Sequence, residues 1–278
     1  MLTVKQALQV ATQQLGSSPD INAPLEADLL LAFALNKDRS WLFAWPEKSL
    51  TEQQQDCFFK LVEERQQGMP ISYLTGEREF WGLTLKVNKH TLIPRHETEL
   101  LIETALDRVP TNQAKILELG TGSGAIAIAL AVEKPGWQIT ACDISCQAIE
   151  VAKTNANENA VNIKLIESDW FSALQHQGFD LIISNPPYIR DSDPHLEQGD
   201  LRFEPRSALS SGSDGLADIR KIIQQSPSYL KQQGLLMLEH GYDQALDIQY
   251  LLSEANWQNI QTLQDHENRD RITLATRS

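Results

Sequence analysis

The spacing of apolar residues changes character twice along this chain. Up to about residue 70 it is helical: Val4, Ala7, Leu8, Ala11 and Leu15 share one face, and a second helix opened by Pro24 carries Leu29, Leu30, Phe33 and Ala34. A third helix is predicted over about 52–67, burying Phe58, Leu61 and Val62 and ending at Gly68. Thr3 with Gln6 and Thr51 with Gln54 have capping-box spacing, in which side chains satisfy the free N–H groups of a first helical turn. Residues 1–72 therefore read as a small helical bundle, with Trp41, Phe43 and Trp45 expected in its core.

Between Pro70 and Pro94 the period falls to two. Leu83, Leu85 and Val87 alternate with Thr84 and Lys86 after Gly82, the pattern of a strand, so residues 73–93 are predicted as a linker carrying a β-hairpin. A helix then runs from the Ile93–Glu99 segment to about Arg108, its acidic first turn suiting the positive end of the helix dipole.

From Lys115 onward, strands and helices alternate. Strands are predicted at 116–119, 138–142, 163–166, 179–183 and 235–239, with helices at 125–132, 147–157, 216–230 and 244–253. Repeated β-α units imply a parallel sheet covered on both faces. The last two strands, at 259–263 and 271–276, leave no room for a helix and form an antiparallel hairpin. The predicted fold is α/β: a doubly wound, mostly parallel seven-stranded sheet with an antiparallel last strand over residues 94–278, plus the N-terminal helical domain.

Composition narrows the function classes. Of 278 residues, 41% are hydrophobic and 22% charged, as in a globular protein, and the formal net charge is −13. Such a balance argues against a surface built for duplex DNA, which needs clustered Lys and Arg. The longest apolar run, Leu29–Leu35, is too short to cross a bilayer, and the N-terminus lacks a signal peptide's apolar core. Cys57, Cys142 and Cys146 have no framework spacing, which indicates a reducing compartment and a cytoplasmic protein. No metal site is predicted, since Cys142 and Cys146 lack partners and His96-Glu97-Thr98-Glu99-Leu100 lacks a second histidine.

Two stretches carry chemistry. Between the first sheet strand and its helix lies Gly120-Thr121-Gly122-Ser123-Gly124, where glycines allow close backbone approach and the helix N-terminus offers free N–H groups. Asp143 ends the next strand, where a carboxylate can accept from ribose hydroxyls. Trp170, after the third strand, can wall an adenine ring. Both a nicotinamide dinucleotide and S-adenosylmethionine fit these three features. The other stretch is Asn185-Pro186-Pro187-Tyr188, which ends the apolar strand Phe179–Ile183. Proline fixes its own φ and restricts the residue before it, so Asn185 is held stiffly at a strand end, where open α/β sheets bind ligands. A rigid carboxamide, a bare proline carbonyl and an aromatic ring suit a planar NH2 group. They have no task in hydride transfer, which favours S-adenosylmethionine.

Here the chain resembles class I methyltransferases that modify planar amino nitrogens through an (Asn/Asp)-Pro-Pro-aromatic motif. More narrowly it resembles the HemK-type (PrmC) enzymes that methylate the glutamine of the Gly-Gly-Gln motif in peptide chain release factors. That resemblance rests on Leu92-Ile93-Pro94-Arg95-x-Glu97-Thr98-Glu99, Phe80-Trp81-Gly82, Asn185-Pro186-Pro187-Tyr188-Ile189, Glu204-Pro205-x-x-Ala208-Leu209, Gly215-Leu216 and Arg269-Asp270-Arg271, and spans nearly the whole chain. His96 departs from it, standing where the family usually has proline. It implies that Gly120, Thr121, Gly122, Ser123, Gly124, Asp143, Trp170 and Asn185 hold the methyl donor. It also implies that Asn185, Pro186 and Tyr188 act in catalysis and, with Pro187, grip the substrate amide. The helical domain would recognise the release factor, and the enzyme would act as a monomer without nucleic acid or membrane. The sister enzymes that methylate a ribosomal protein are the alternative, followed by nucleic-acid amino-methyltransferases. The loop at 190–213 is expected to be a flexible, substrate-facing segment.

Overall fold

The computed structural model describes residues 1–16, 22–176 and 178–278, and it divides into two compact units. One comprises Met1–Glu77 with Glu197–Phe203; the other comprises Arg78–Leu196 and Glu204–Ser278.

The first unit holds α1 (Val4–Leu15), α2 (Ala23–Leu35), α3 (Arg39–Ala44), α4 (Glu52–Gln66) and α5 (Ile71–Thr75). Both capping boxes form: Thr3 N donates to Gln6 Oε1 at 2.9 Å and Gln6 N to Thr3 Oγ1 at 3.3 Å, with the same exchange between Thr51 and Gln54. Leu30, Leu31, Phe58 and Leu15 fill the core. The aromatics depart from expectation. Leu42 is the buried residue of α3, a helix the apolar period was too short to reveal, and Phe43 one step round stands 66% exposed. Trp45 (57%) and Phe33 (47%) also face solvent, and Trp41 alone of the expected trio packs against the core. A buried Arg65 Nε meets Glu26 Oε2 at 2.6 Å and spends Nη1 on the carbonyls of Gly68 and Met69.

The second unit begins with β1 (Glu77–Phe80), shared across the boundary, and β2 (Leu83–Lys86), a two-stranded hairpin. Its turn explains Phe80-Trp81-Gly82: Trp81 and Gly82 both have positive φ, 54° and 69°, as a tight primed turn demands. Trp81 tolerates this because its N–H donates to Glu99 at 3.1 Å and its indole to Glu133 at 2.8 Å.

Next come α6 (Glu99–Arg108), β3 (Lys115–Leu119), α7 (Ala125–Glu133), β4 (Gln138–Asp143), α8 (Cys146–Glu158), β5 (Lys164–Glu167), β6 (Phe179–Ser184), α9 (Ala217–Gln225), β7 (Leu230–Glu239), α10 (Ala245–Glu254), β8 (Gln258–Gln264) and β9 (Asp270–Thr276). The seven strands order as β5-β4-β3-β6-β7-β9-β8, with β9 antiparallel to both its neighbours and every other pair parallel. Because successive side chains of a strand face opposite ways, Ile116, Leu181, Ile183 and Met237 pack under α6 and α7, while Leu117, Ile182, Leu236 and Leu238 pack under α9 and α10. Burial on both faces is why these strands read as unbroken apolar runs.

Two boundaries shift from the predicted ones. The helix expected over 216–230 ends at Gln225 in a tight turn at Ser226–Ser228, since Pro227 has no N–H to continue it. β7 starts at Leu230, and its register slips between the Phe179 and Leu181 pairings. The 190–213 loop carries three short 3-10 turns, at Pro194–Glu197, Gly199–Phe203 and Arg206–Ala208. Within the first unit, Arg202 from this loop donates to the Gln67 carbonyl at 2.8 Å.

Candidate active site

The strand order reverses between β3 and β6, and a crevice opens at the carboxyl ends of strands on either side of such a switch. The glycine turn leaves β3 on one side and Asn185 leaves β6 on the other. Gly120, Gly122 and Gly124 have φ of 72°, 56° and 85°, a region that L side chains pay to enter. The turn is tied down by Gly120 N and Thr121 N, which both donate to the Cys142 carbonyl at 2.9 Å. Beneath it the wholly buried Glu118 accepts Thr121 Oγ1 at 2.7 Å and Ala127 N at 3.0 Å. Burial pushes its carboxyl up to about 8 against those two bonds.

Asp143 ends β4 with Oδ2 accepting Gly122 N at 2.8 Å and Oδ1 accepting Ser145 N at 2.9 Å. Burial raises its carboxyl despite both N–H groups. The cap of α8 is Ser145, whose hydroxyl takes Ala148 N, so Asp143 is not spent on that duty. Trp170 sits at φ 48° with its indole donating to Asp218 at 3.1 Å, its ring 3.6 Å from where a Gly120 side chain would begin.

Gly120, Gly122, Asp143, Trp170, Asn185 and Pro187 together line a cavity of about 540 Å³, a size ordinary for cofactor sites. Thr121 and Ser123 instead line an adjoining recess of about 50 Å³, which also takes in Thr98, Glu118, Arg95 and Asn185. Asn185 belongs to both. Gly124 lines neither: a Cβ there would meet Ile128 Cδ1 at 2.9 Å and Ala152 Cβ at 3.2 Å, so its task is packing. Pro186 is buried, and Tyr188 packs against the α9/α10 core, its neighbours including Glu239 and Arg271.

The fit to S-adenosylmethionine can be judged from the walls. A Cβ on Gly122 would find no heavy atom within 4 Å and would stand in open cavity space, so the missing side chain makes room. An acidic group and an aromatic wall border that room, matched to ribose and adenine; the N–H groups of Gly120, Gly122 and Gly124, expected to be free, are instead spent within the protein on Cys142, Asp143 and Thr121.

Four residues outside the predicted site hold it together. Glu204, with no exposed side-chain surface, accepts Ile93 N at 3.1 Å and pairs with Arg95, fixing the loop whose Pro205, Ser207 and Ala208 wall the cavity. Asn155 bonds the glycine turn through the Ser123 carbonyl at 2.8 Å. Thr98 accepts Asn185 Nδ2 at 3.1 Å. Glu239 lies buried at the end of β7. Thr98 and Glu204 lie in segments that carry the resemblance, and Glu239 closes the apolar run Leu235–Leu238 as a carboxylate; Asn155 left no mark.

A profile described as the PrmC N-terminal domain matches residues 6–76, and one described as the methyltransferase small domain matches 96–200. The chain is 47% identical to the release factor glutamine methyltransferase of Shewanella oneidensis over 98% of its own length and 95% of the relative's. The chain belongs to the release factor glutamine methyltransferase family. The relative of that name from Vibrio cholerae is 46% identical, covering 98% and 96%, and that from Escherichia coli 45%, covering 90% of each.

Solved structures extend the likeness in fold alone. The hMettl16 catalytic domain in complex with MAT2A 3'UTR hairpin 1 matches with a TM-score of 0.59 at 16% identity, covering 89% of this chain and 90% of that one. The T. Thermophilus 16S rRNA N2 G1207 methyltransferase in complex with AdoMet and guanosine matches at 0.52 and 18% identity, covering 73% and 50%. No helix among the described residues is long and apolar enough to cross a membrane.

Proposed function

We infer that this chain transfers a methyl group from S-adenosylmethionine to the side-chain amide nitrogen of a glutamine in peptide chain release factors, within their Gly-Gly-Gln motif. The observation that carries this reading in the structure is the position of Asn185. Its carboxamide borders the same cavity as the glycine turn and Asp143, with Nδ2 bonded to Thr98. That bond leaves Oδ1 as the acceptor an incoming amide would meet.

S-adenosylmethionine supplies an electrophilic sulfonium methyl. The residues around it do the rest. Gly120 and Gly122 admit the donor against the backbone, Asp143 accepts from its ribose, and Trp170 walls its adenine. Thr121, Ser123 and Gly124 shape the turn. A glutamine nitrogen is a poor nucleophile because its lone pair is delocalised into the carbonyl. Asn185 Oδ1 and the Pro186 carbonyl accept its two N–H bonds, raising electron density on nitrogen and aiming it at the methyl. Pro187 shapes the wall, and Tyr188 supports the amide plane. The N–CH3 bond would form as the S–CH3 bond breaks, with the thioether as leaving group and one nitrogen proton passing to water; positioning of that in-line transfer, rather than a strong base, carries the acceleration.

The helical unit is assigned to recognition of the release factor, in keeping with the exposed Phe33, Phe43 and Trp45. The chain works as a monomer in the cytoplasm, where its substrate is made and used, and the net charge of −13 disfavours a bare nucleic acid as substrate. The deciding experiment incubates the chain with release factor and labelled donor, then maps the modified residue by mass. Label on the Gly-Gly-Gln glutamine supports the reading. Label elsewhere, or on rRNA alone, overturns it.

A further inference from the structure

Glu239 is hard to explain as part of a fold. It is 1% exposed at the end of β7, between parallel β6 and antiparallel β9, and its Oε2 has no hydrogen-bond partner among the described residues. Burying a carboxyl is costly, and an apolar residue of similar volume in such a place commonly leaves a protein as stable or more so. The strand register shows what stands beside it. Ser184 of β6 pairs with Leu238 of β7, so the next residue on each strand, Asn185 and Glu239, leave the sheet side by side.

Four groups bear on the Glu239 carboxyl. They are the hydroxyl of Thr98 and the carboxylate of Glu97 from the turn before α6, the hydroxyl of Tyr188 after β6, and the guanidinium of Arg271 from β9. Arg271 is itself held by Asp265 at 3.2 Å and reaches the His240 carbonyl at 3.4 Å. Burial pushes Glu239 up to about 7. Thr98, Arg271 and Tyr188 oppose that shift, and Glu97 adds to it.

A side-chain amide can turn over with little change of shape, exchanging its oxygen for its NH2. For the reaction inferred above, only one orientation of Asn185 serves, because the substrate brings N–H donors. Thr98 accepts Asn185 Nδ2 at 3.1 Å. A hydroxyl holds that acceptor role reliably only when its own hydrogen is directed elsewhere. A carboxylate accepts and does not donate, so Glu239 sets that direction.

We propose that Glu239 is a positioning residue: its carboxylate orients the Thr98 hydroxyl, which in turn fixes the Asn185 carboxamide with its oxygen toward the substrate. Tyr188, on the same carboxylate, is oriented with it. Glu239 touches neither donor nor acceptor and acts through Thr98. The proposal rests on the role given to Asn185, and its test is chosen to fail separately from that role.

The test compares wild type, Glu239→Gln, Thr98→Val and the double variant. A glutamine can donate as well as accept, so Glu239→Gln should lower kcat 10- to 100-fold while the dissociation constant for S-adenosylmethionine stays within twofold and Tm holds or rises. In wild type, kcat should climb as pH passes through about 7 and Glu239 ionises, and Glu239→Gln should lose that step. If the two residues act in one chain, the double variant is no slower than the worse single one.

A second readout does not depend on turnover. With asparagine selectively labelled by 15N, the side-chain amide signals of Asn185 should shift between pH 6 and 8 in wild type and stay still in both single variants. Unchanged kcat in Glu239→Gln, multiplied losses in the double variant, or Asn185 signals insensitive to pH would each overturn the proposal. A wild-type chain that methylates no release factor but shows the Asn185 shift would refute the substrate and leave the relay standing.

Discussion

Asn155, wholly buried in α8, satisfies both backbone groups of Lys86: it accepts the Lys86 N–H at 2.7 Å and donates to its carbonyl at 2.9 Å. The same Nδ2 reaches the Ser123 carbonyl at 2.8 Å. One carboxamide therefore joins the β1–β2 hairpin to the glycine turn. Asn155→Ala strands a strand N–H and two carbonyls away from water. It should destabilise the fold by about 3 kcal/mol and weaken donor binding with it. Denaturant unfolding measures the first and calorimetric titration the second. A loss below about 1 kcal/mol would show that the hairpin is held by its apolar contacts instead.

The two ends of the glycine turn should respond differently to the same change. Gly122→Ala forces a methyl into open cavity space at φ 56°, so it costs stability only the roughly 1–2 kcal/mol of left-handed strain while cutting donor affinity tenfold or more. Gly124→Ala drives its methyl against Ile128 and Ala152, and should lower Tm more than it lowers affinity per folded molecule. Thermal melts beside donor titrations separate the two. The reverse ranking would mean that the cavity does not hold the donor against Gly122.

Removing the Asn185 carboxamide should spare folding and stop the chemistry. Asn185→Ala is expected to reduce turnover on the order of 10²–10³-fold, as for loss of one preorganised polar contact, with donor affinity changed far less. Single-turnover kinetics with saturating donor isolates that step, and near-normal transfer would remove Asn185 from the mechanism.

Stability should fall as pH rises across neutrality. Glu118 is held near 8 in the folded chain against an ordinary value of 4.5. A group raised in this way favours the folded state fully below about 4.5 and loses that contribution as pH climbs through about 8. Between pH 5 and 9 the unfolding free energy should drop by roughly 1–4 kcal/mol. Glu118→Gln, which keeps an acceptor for Thr121 and Ala127, should reduce the slope and leave the part that Glu239, raised to about 7, contributes. A variant as pH-dependent as wild type would assign the slope to other groups.

Recognition by the helical unit predicts a split in kinetic constants. Phe43→Ser and Trp45→Ser alter side chains that are 66% and 57% exposed, so Tm should scarcely change. The KM for release factor should rise several-fold while the donor dissociation constant holds. Equal KM values would leave those aromatics without a role in recognition.

Much of this was written in local pattern. Periodicity fixed the order of strands and helices because a sheet buried on both faces requires unbroken apolar runs, and Gly120–Gly124, Asp143 and Asn185–Tyr188 announced themselves through backbone and chemical needs confined to a few neighbouring residues. Tertiary structure alone decided what depends on distant pairings. It exposed Phe43, since a six-residue helix buries one side chain, and Trp45, which caps the end of that helix. It gave Gly124 to packing because Ala152 happens to lie across from it. Above all it set Thr98, Asn155, Glu204 and Glu239 around the site. Each is an ordinary polar residue whose partner lies tens of residues away, so its task shows only when the fold brings the two together.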